Sequence, residues 1–138
     1  MFCSLIVLEG TTGEDEVRKY IIGAAIEVHR ELGGPGLLEN IYEKALCQEL
    51  VSHGLKVQRQ YAVEVEYKGR ALKKRLVLDL LIEDKVVVEV KSVEKHNPLH
   101  DAQLLTYLRV FHRKLGLLVI FGERYVAQGV RRVVNGLP

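Results

Sequence analysis

Tryptophan is absent from this 138-residue chain, and cysteine, proline and methionine are scarce, at two, three and one. Cys3 and Cys47 fit no CxxC or Cys/His spacing, so neither a disulfide scaffold nor a structural zinc site is expected. Both read as unpaired thiols of a reducing, cytoplasmic compartment. With so little proline there is no proline-rich linker, and no repeat or low-complexity stretch divides the chain. An excess of one charge is missing as well. Twenty Lys and Arg against 18 Asp and Glu leave a formal net charge of +2, too small by itself to announce nucleic-acid binding. Long hydrophobic runs are also lacking. The run from Phe2 to Leu8 contains Cys3 and Ser4, has no basic residue before it and falls far short of the ~20 residues of a membrane span. Neither a secretory signal nor a membrane partner is therefore expected.

What is present is the composition of a globular protein, 48% apolar and 28% charged. One domain spanning 1–138 is expected, long enough to bury roughly two-thirds of its unfolded surface without staples. Val17, Tyr20, Ile21, Ala24, Ala25, Val28 and Leu32 recur at helical spacing over Glu14–Leu32, and Gly33-Gly34-Pro35-Gly36 stops the pattern. A second helix is expected over Leu37–His53, closed by Gly54. Val57–Tyr67, Leu72–Ile82 and Lys85–Val90 read as strands, the first two joined by a Lys68-Gly69 turn. Leu76-Val77-Leu78 and Val86-Val87-Val88 leave no polar face, so the second and third strands are expected in the middle of a covered sheet. A third helix opens at Pro98 and runs to Arg113. Gly116–Phe121 is a buried strand and Gly129–Val134 a last one. The basic segment Lys68, Arg70, Lys73, Lys74 and Arg75 is either a solvated hairpin end or a phosphate-binding patch.

Asp79, Glu89 and Lys91 stand out as charges inside apolar strands, where an unpaired charge costs several kcal/mol to bury. A turn centred on Asp84 sets Asp79 against Glu89 across an antiparallel ladder, and Lys91 projects from the same face as Glu89. Opposed Cβ atoms lie about 4.5–5.5 Å apart, and two like charges near 4 Å repel by roughly 4 kcal/mol at an effective dielectric of 20. A divalent cation removes that repulsion, and hard oxygen ligands favour magnesium or manganese. The competing reading is a cross-strand salt bridge from Lys91 to one acid. Gln103 and Tyr107 share one face of the third helix with Leu99, Leu104 and Phe111. They reach toward the acids or a phosphate, unless Gln103 is a core amide bonded to backbone. Glu39 is either a further metal ligand or a first-turn glutamate favoured by the helix dipole. His29, His53, His96, His100 and His112 show no ligand spacing and are expected on the surface or in loops.

Together these residues resemble the PD-(D/E)xK nuclease superfamily: Asp79, then Glu89-Val90-Lys91, between flanking helices. Gly36-Leu37-Leu38-Glu39-Asn40-Ile41-Tyr42 is similar to the signature of the GxxExxY family within it, and Gln103 to Tyr107 resembles the QxxxY helix motif of RecB-type and lambda-exonuclease-like members. The likeness runs from about Val17 to Val134. It implies a restriction-endonuclease-like α/β fold, a mixed central sheet flanked by helices. It further implies a magnesium- or manganese-dependent phosphodiesterase acting on nucleic acid, DNA ahead of RNA. Asp79, Glu89 and the Val90 carbonyl would then hold the metal, with Glu39 completing the shell. Lys91 would position the attacking water, while Gln103 and Tyr107 would orient substrate and Lys91. The chain departs from the usual pattern in its doubled Gly33-Gly34 and in Val77, which stands where an arginine is usual and removes a phosphate contact. The alternative is a nucleic-acid-binding or protein-interaction module that keeps the fold without turnover. A homo-oligomeric assembly is left open.

Overall fold

The computed structural model describes residues 13–136. Three helices and five strands follow in the order α1 (Glu14–Glu31), α2 (Glu39–Ser52), β1 (Val57–Tyr67), β2 (Arg70–Ile82), β3 (Val86–Lys91), α3 (Pro98–Phe111), β4 (Leu115–Ile120) and β5 (Val130–Val134). The Phe2–Leu8 run and Cys3 lie outside the described residues. Among those residues no helix is long and apolar enough to cross a membrane.

Helix α1 starts with Glu14, Asp15 and Glu16 at the positive end of its dipole and ends with His29 and Arg30 near the negative end. Val17, Ile21, Ala24, Ala25 and Val28 form its buried stripe. Gly33 and Gly34 follow with φ of 86° and 111°, a backbone that side chains resist. In α2, Tyr42, Leu46 and Leu50 are buried, and the Tyr42 ring stacks on Phe121 with centroids 4.4 Å apart. Helix α3 has Asn97 as N-cap, its side chain accepting from the Leu99 N–H, and Pro98 in the first turn. It stops two residues before the expected Arg113 because His112 adopts a left-handed conformation, φ 58°, that a helix cannot continue through.

The strands form one sheet in the order β1-β2-β3-β4-β5. Only the β3–β4 pair is parallel, with α3 as its crossover, so the sheet is mixed as expected. All of Val86–Val90 and Leu115–Ile120 is buried, which is why these stretches have no polar face. One apolar cluster joins Val86, Val88 and Val90 to Val17, Ile21, Leu46 and Leu50 of α1 and α2. A second joins Val87 and Leu118 to Leu104 and Leu108 of α3.

Two expectations need correction here. β2 is not covered along its length: Arg70–Arg75 is exposed and pairs only with β1, so that half is a two-stranded ribbon standing clear of the core. The expected strand over Gly129–Val134 begins one residue later, because Val126–Gly129 is a 3₁₀ turn.

Candidate metal centre

Strands β2 and β3 pair only at Leu80↔Val88, Leu81↔Val87 and Ile82↔Val86, around a turn centred on Asp84. One step further the ladder stops, at the point where Asp79 faces Glu89. Side chains replace the missing ladder bonds there. The Asp79 N–H donates to Glu89 Oε2 at 2.9 Å, and the Val90 N–H donates to Asp79 Oδ2 at 2.8 Å. Each carboxylate thus holds the other strand's main chain, and the two strands part with their acids locked together. Val86, Val88 and Val90 point into the α1–α2 core and Val87 into the α3 core, so alternation puts Glu89 and Lys91 on the α3 side.

The electrostatics are those of an under-neutralised pair. Burial, and then the neighbouring Asp79 charge, push the Glu89 carboxyl up to about 8. Burial also raises the Asp79 carboxyl, against the lowering effect of the Val90 N–H, with the Glu43 charge adding to the rise. The Lys91 charge opposes both shifts and does not cancel them. Lys91 is half-buried at the end of β3 and makes no salt bridge to either acid, so the salt-bridge reading is not what the structure displays.

The other expected residues are distributed unevenly around this pair. Tyr107 is half-buried, and its phenol is raised by burial and then by the Glu89 and Asp79 charges, so it lies within their electrostatic range. Gln103, one turn earlier, is exposed and makes no hydrogen bond among the described residues; Leu99 is 69% exposed. The expected buried amide is therefore a surface one, because the face of α3 that meets the sheet is centred on Leu104 and Leu108. Glu39, the first residue of α2, is exposed, and its Oε2 accepts the Ser92 N–H at 3.2 Å. It ties the start of α2 to the residue after Lys91, and its charge is near enough to add to the rise of Asp79. His29 is not a surface residue: it is buried, its Nε2 lying 3.1 Å from the Glu123 carbonyl oxygen.

Sequence reasoning missed Glu43, which is 3% exposed and accepts from Arg59 at 3.0 Å and from the Gln60 amide at 2.5 Å. The signal was available, since Glu43, Leu46 and Leu50 fall three and seven residues apart on one buried stripe. It also missed a cavity of about 710 Å³ beyond Lys91, lined in part by Gly36, Ser92, Lys95, His96 and Arg124. His96 is held there by Asp101, 2.8 Å from its Nε2, and Asp101 is held in turn by Arg131 at 3.1 Å.

Among the described residues no group of three or more His, Cys, Asp and Glu is arranged to hold a metal ion. The pair itself is a two-carboxylate set at the parting of β2 and β3, Glu89 buried and Asp79 half-buried. That suits magnesium, which keeps several waters and is commonly bound through one or two carboxylates. The donor chemistry fits a hard divalent cation and does not fit a four-ligand zinc site.

The chain matches the sequence profile of the PD-(D/E)XK nuclease superfamily over residues 15–133, and it belongs to that superfamily. Its mixed five-stranded sheet flanked by three helices is the restriction-endonuclease-like architecture of that group. No curated protein matches it. Among solved structures, the crystal structure of SSO0001 is similar over 88% of this chain and 79% of that one, at 16% identity and a TM-score of 0.43.

Proposed function

We propose that this protein is a divalent-metal-dependent nuclease of the GxxExxY kind, hydrolysing phosphodiester bonds, in DNA ahead of RNA. Membership of a nuclease superfamily makes nucleic acid the substrate class. The observation that carries the reading is the cross-locked pair Asp79–Glu89, two carboxyl groups held side by side at the strand parting with no side-chain salt bridge to either among the described residues.

A bound magnesium or manganese ion supplies a nucleophilic water at neutral pH and neutralises charge on the attacked phosphate. The chain's own residues do the rest. Asp79 and Glu89 would hold the ion, and the Val90 main chain is fixed against Asp79 by its N–H bond. Lys91 stands on the same face as Glu89, where its ammonium orients the water or a phosphate oxygen. Tyr107 stands on the α3 side, within range of the charges of the pair. Lys95, His96 and Arg124 line a path for the flanking phosphates in the adjoining cavity.

The test uses purified protein with manganese or magnesium on single-stranded, double-stranded and branched DNA and RNA. Cleavage is expected with metal and none with chelator. Lys91→Ala keeps both carboxylates, so it should bind manganese as wild type does while cleaving at least roughly 100-fold more slowly, the usual worth of a positioned proton-handling group. Retention of nucleic acid with no product from any substrate would instead establish the non-catalytic binding module.

A further inference from the structure

Strand β1 is irregular at one position close to the carboxylate pair. Its pairing with β2 runs to Arg59↔Leu80, omits Gln60 and Asp79, and resumes in the same register at Tyr61↔Leu78. Gln60 therefore lies directly opposite Asp79, on the side away from β3. Its φ is 50°, the left-handed region, which is strained for a non-glycine residue and persists only where the surroundings enforce it.

The enforcing group is Glu43. One of its carboxylate oxygens accepts from the Gln60 side-chain amide and the other from the Arg59 guanidinium, so a buried acid on α2 grips two consecutive residues of β1. In an unbroken antiparallel ladder, an interior N–H is committed to a carbonyl of a neighbouring strand. Asp79, which lies at this gap on the β1 side and just past the end of the β2–β3 ladder on the other, donates its N–H to the Glu89 side chain at 2.9 Å. Glu43 is also close enough that its charge contributes to the rise of both Asp79 and Glu89.

We infer that Glu43 and Gln60 are positioning residues for the metal centre: the Glu43 carboxylate holds Gln60 in its left-handed conformation, and the resulting break in the β1–β2 ladder lets Asp79, already opposite Glu89 by the β2–β3 register, lock against it. Neither residue touches the cleavage chemistry. The consequence for metal binding rests on the nuclease reading, whereas the geometric claim does not.

The experiment measures two things in Gln60→Gly, which can adopt φ 50° without strain but has no amide to hold. The first is amide hydrogen exchange of the metal-free protein by NMR. Asp79 and Val90 should exchange tenfold or more faster than in wild type, with the core amides of Val88 and Leu117 unchanged. The second is manganese titration by calorimetry. Kd should rise tenfold or more, as is typical when a group orienting a metal ligand is removed, and cleavage should return toward wild type at high manganese. Glu43→Gln offers the same two readouts should Gln60→Gly fail to fold.

Unchanged exchange at Asp79 and unchanged manganese Kd overturn the inference. So does exchange that accelerates equally at Asp79, Val88 and Leu117, which marks a purely structural role. Wild type that ignores manganese, while Gln60→Gly still frees the Asp79 amide, sinks the nuclease reading and leaves the positioning role standing.

Discussion

Glu43 and Glu89 are buried almost equally, 3% and 5% exposed, and their surroundings are opposite. Glu43 has a guanidinium on one oxygen and an amide on the other, so its charge is met by donors on both sides. Glu89 accepts one main-chain N–H and has a second carboxylate at its side, which is why its carboxyl is pushed up to about 8. Burial alone therefore does not mark a functional acid. A buried acid with satisfied donors is part of the frame, whereas one left beside a like charge is poised for a cation that the protein itself does not supply.

The largest effect expected from that contrast is on cleavage. Glu89→Gln removes a proposed metal ligand without changing shape, and manganese-dependent cleavage should fall at least roughly a thousandfold, since the metal's charge stabilisation is worth several kcal/mol. Its fold should survive, because the amide keeps the shape and an oxygen to accept the Asp79 N–H, and the carboxyl it replaces already holds its proton at neutral pH. Product formation on the best wild-type substrate measures this, and near-normal cleavage by Glu89→Gln would remove Glu89 from the site.

Glu43→Ala should do the reverse, costing stability before anything else. Stripping the acid from a buried ion pair typically destabilises by 3–5 kcal/mol; Arg59 is partly exposed, so about 3 kcal/mol is expected, read from the urea midpoint. A loss under about 1 kcal/mol would show that the Glu43 grip is not part of the frame.

A pH titration sharpens the same contrast. Between the ordinary carboxylate value of 4.5 and about 8, folded Glu89 keeps a proton that the unfolded chain has released. Metal-free protein should thus lose stability as pH rises through that window, with the effect absent below it and level above it. The loss should be on the order of 4–5 kcal/mol, since the window from 4.5 to about 8 spans roughly 3.5 pH units at about 1.36 kcal/mol each, and the raised Asp79 acts in the same direction. Chemical denaturation at about pH 5, 6.5 and 8 measures it. Glu89→Gln should flatten most of the slope, and saturating magnesium should reverse it, because the ion favours both ionised carboxylates.

The smallest effect belongs to the exposed ribbon. Lys73→Ala with Lys74→Ala should change stability by no more than about 0.5 kcal/mol, as these side chains are solvated. If the ribbon neutralises phosphates, the salt dependence of DNA binding should flatten by roughly 0.9 in log–log slope for each phosphate that the removed lysines had paired. An unchanged slope would make the ribbon a solvated end.

Much of this was legible because it rests on periodicity and local chemistry. The α1 and α2 stripes, the all-apolar β3 and β4, and the Asp79–Glu89 opposition follow from spacing alone once the turn at Asp84 is placed. Gln103 was misplaced because two residues four apart on a helix share a face whose edges differ in burial, and only packing shows where the edge falls. Leu72–Arg75 was assigned to a covered strand, even as its basic residues also read as a solvated hairpin end, because local pattern does not reveal where a neighbouring strand ends.

The sequence by itself determined which residues are expensive to bury, since a charge among Val and Leu carries its cost wherever the chain goes. Only the tertiary structure decided which of those costs are met. Arg59 and Gln60 meet the cost of Glu43 from a strand 16 and 17 residues away, through a left-handed turn that glutamine has no intrinsic reason to adopt. At Glu89 it is left unmet, because β2 and β3 part at that point and bring a second acid to it in place of a base.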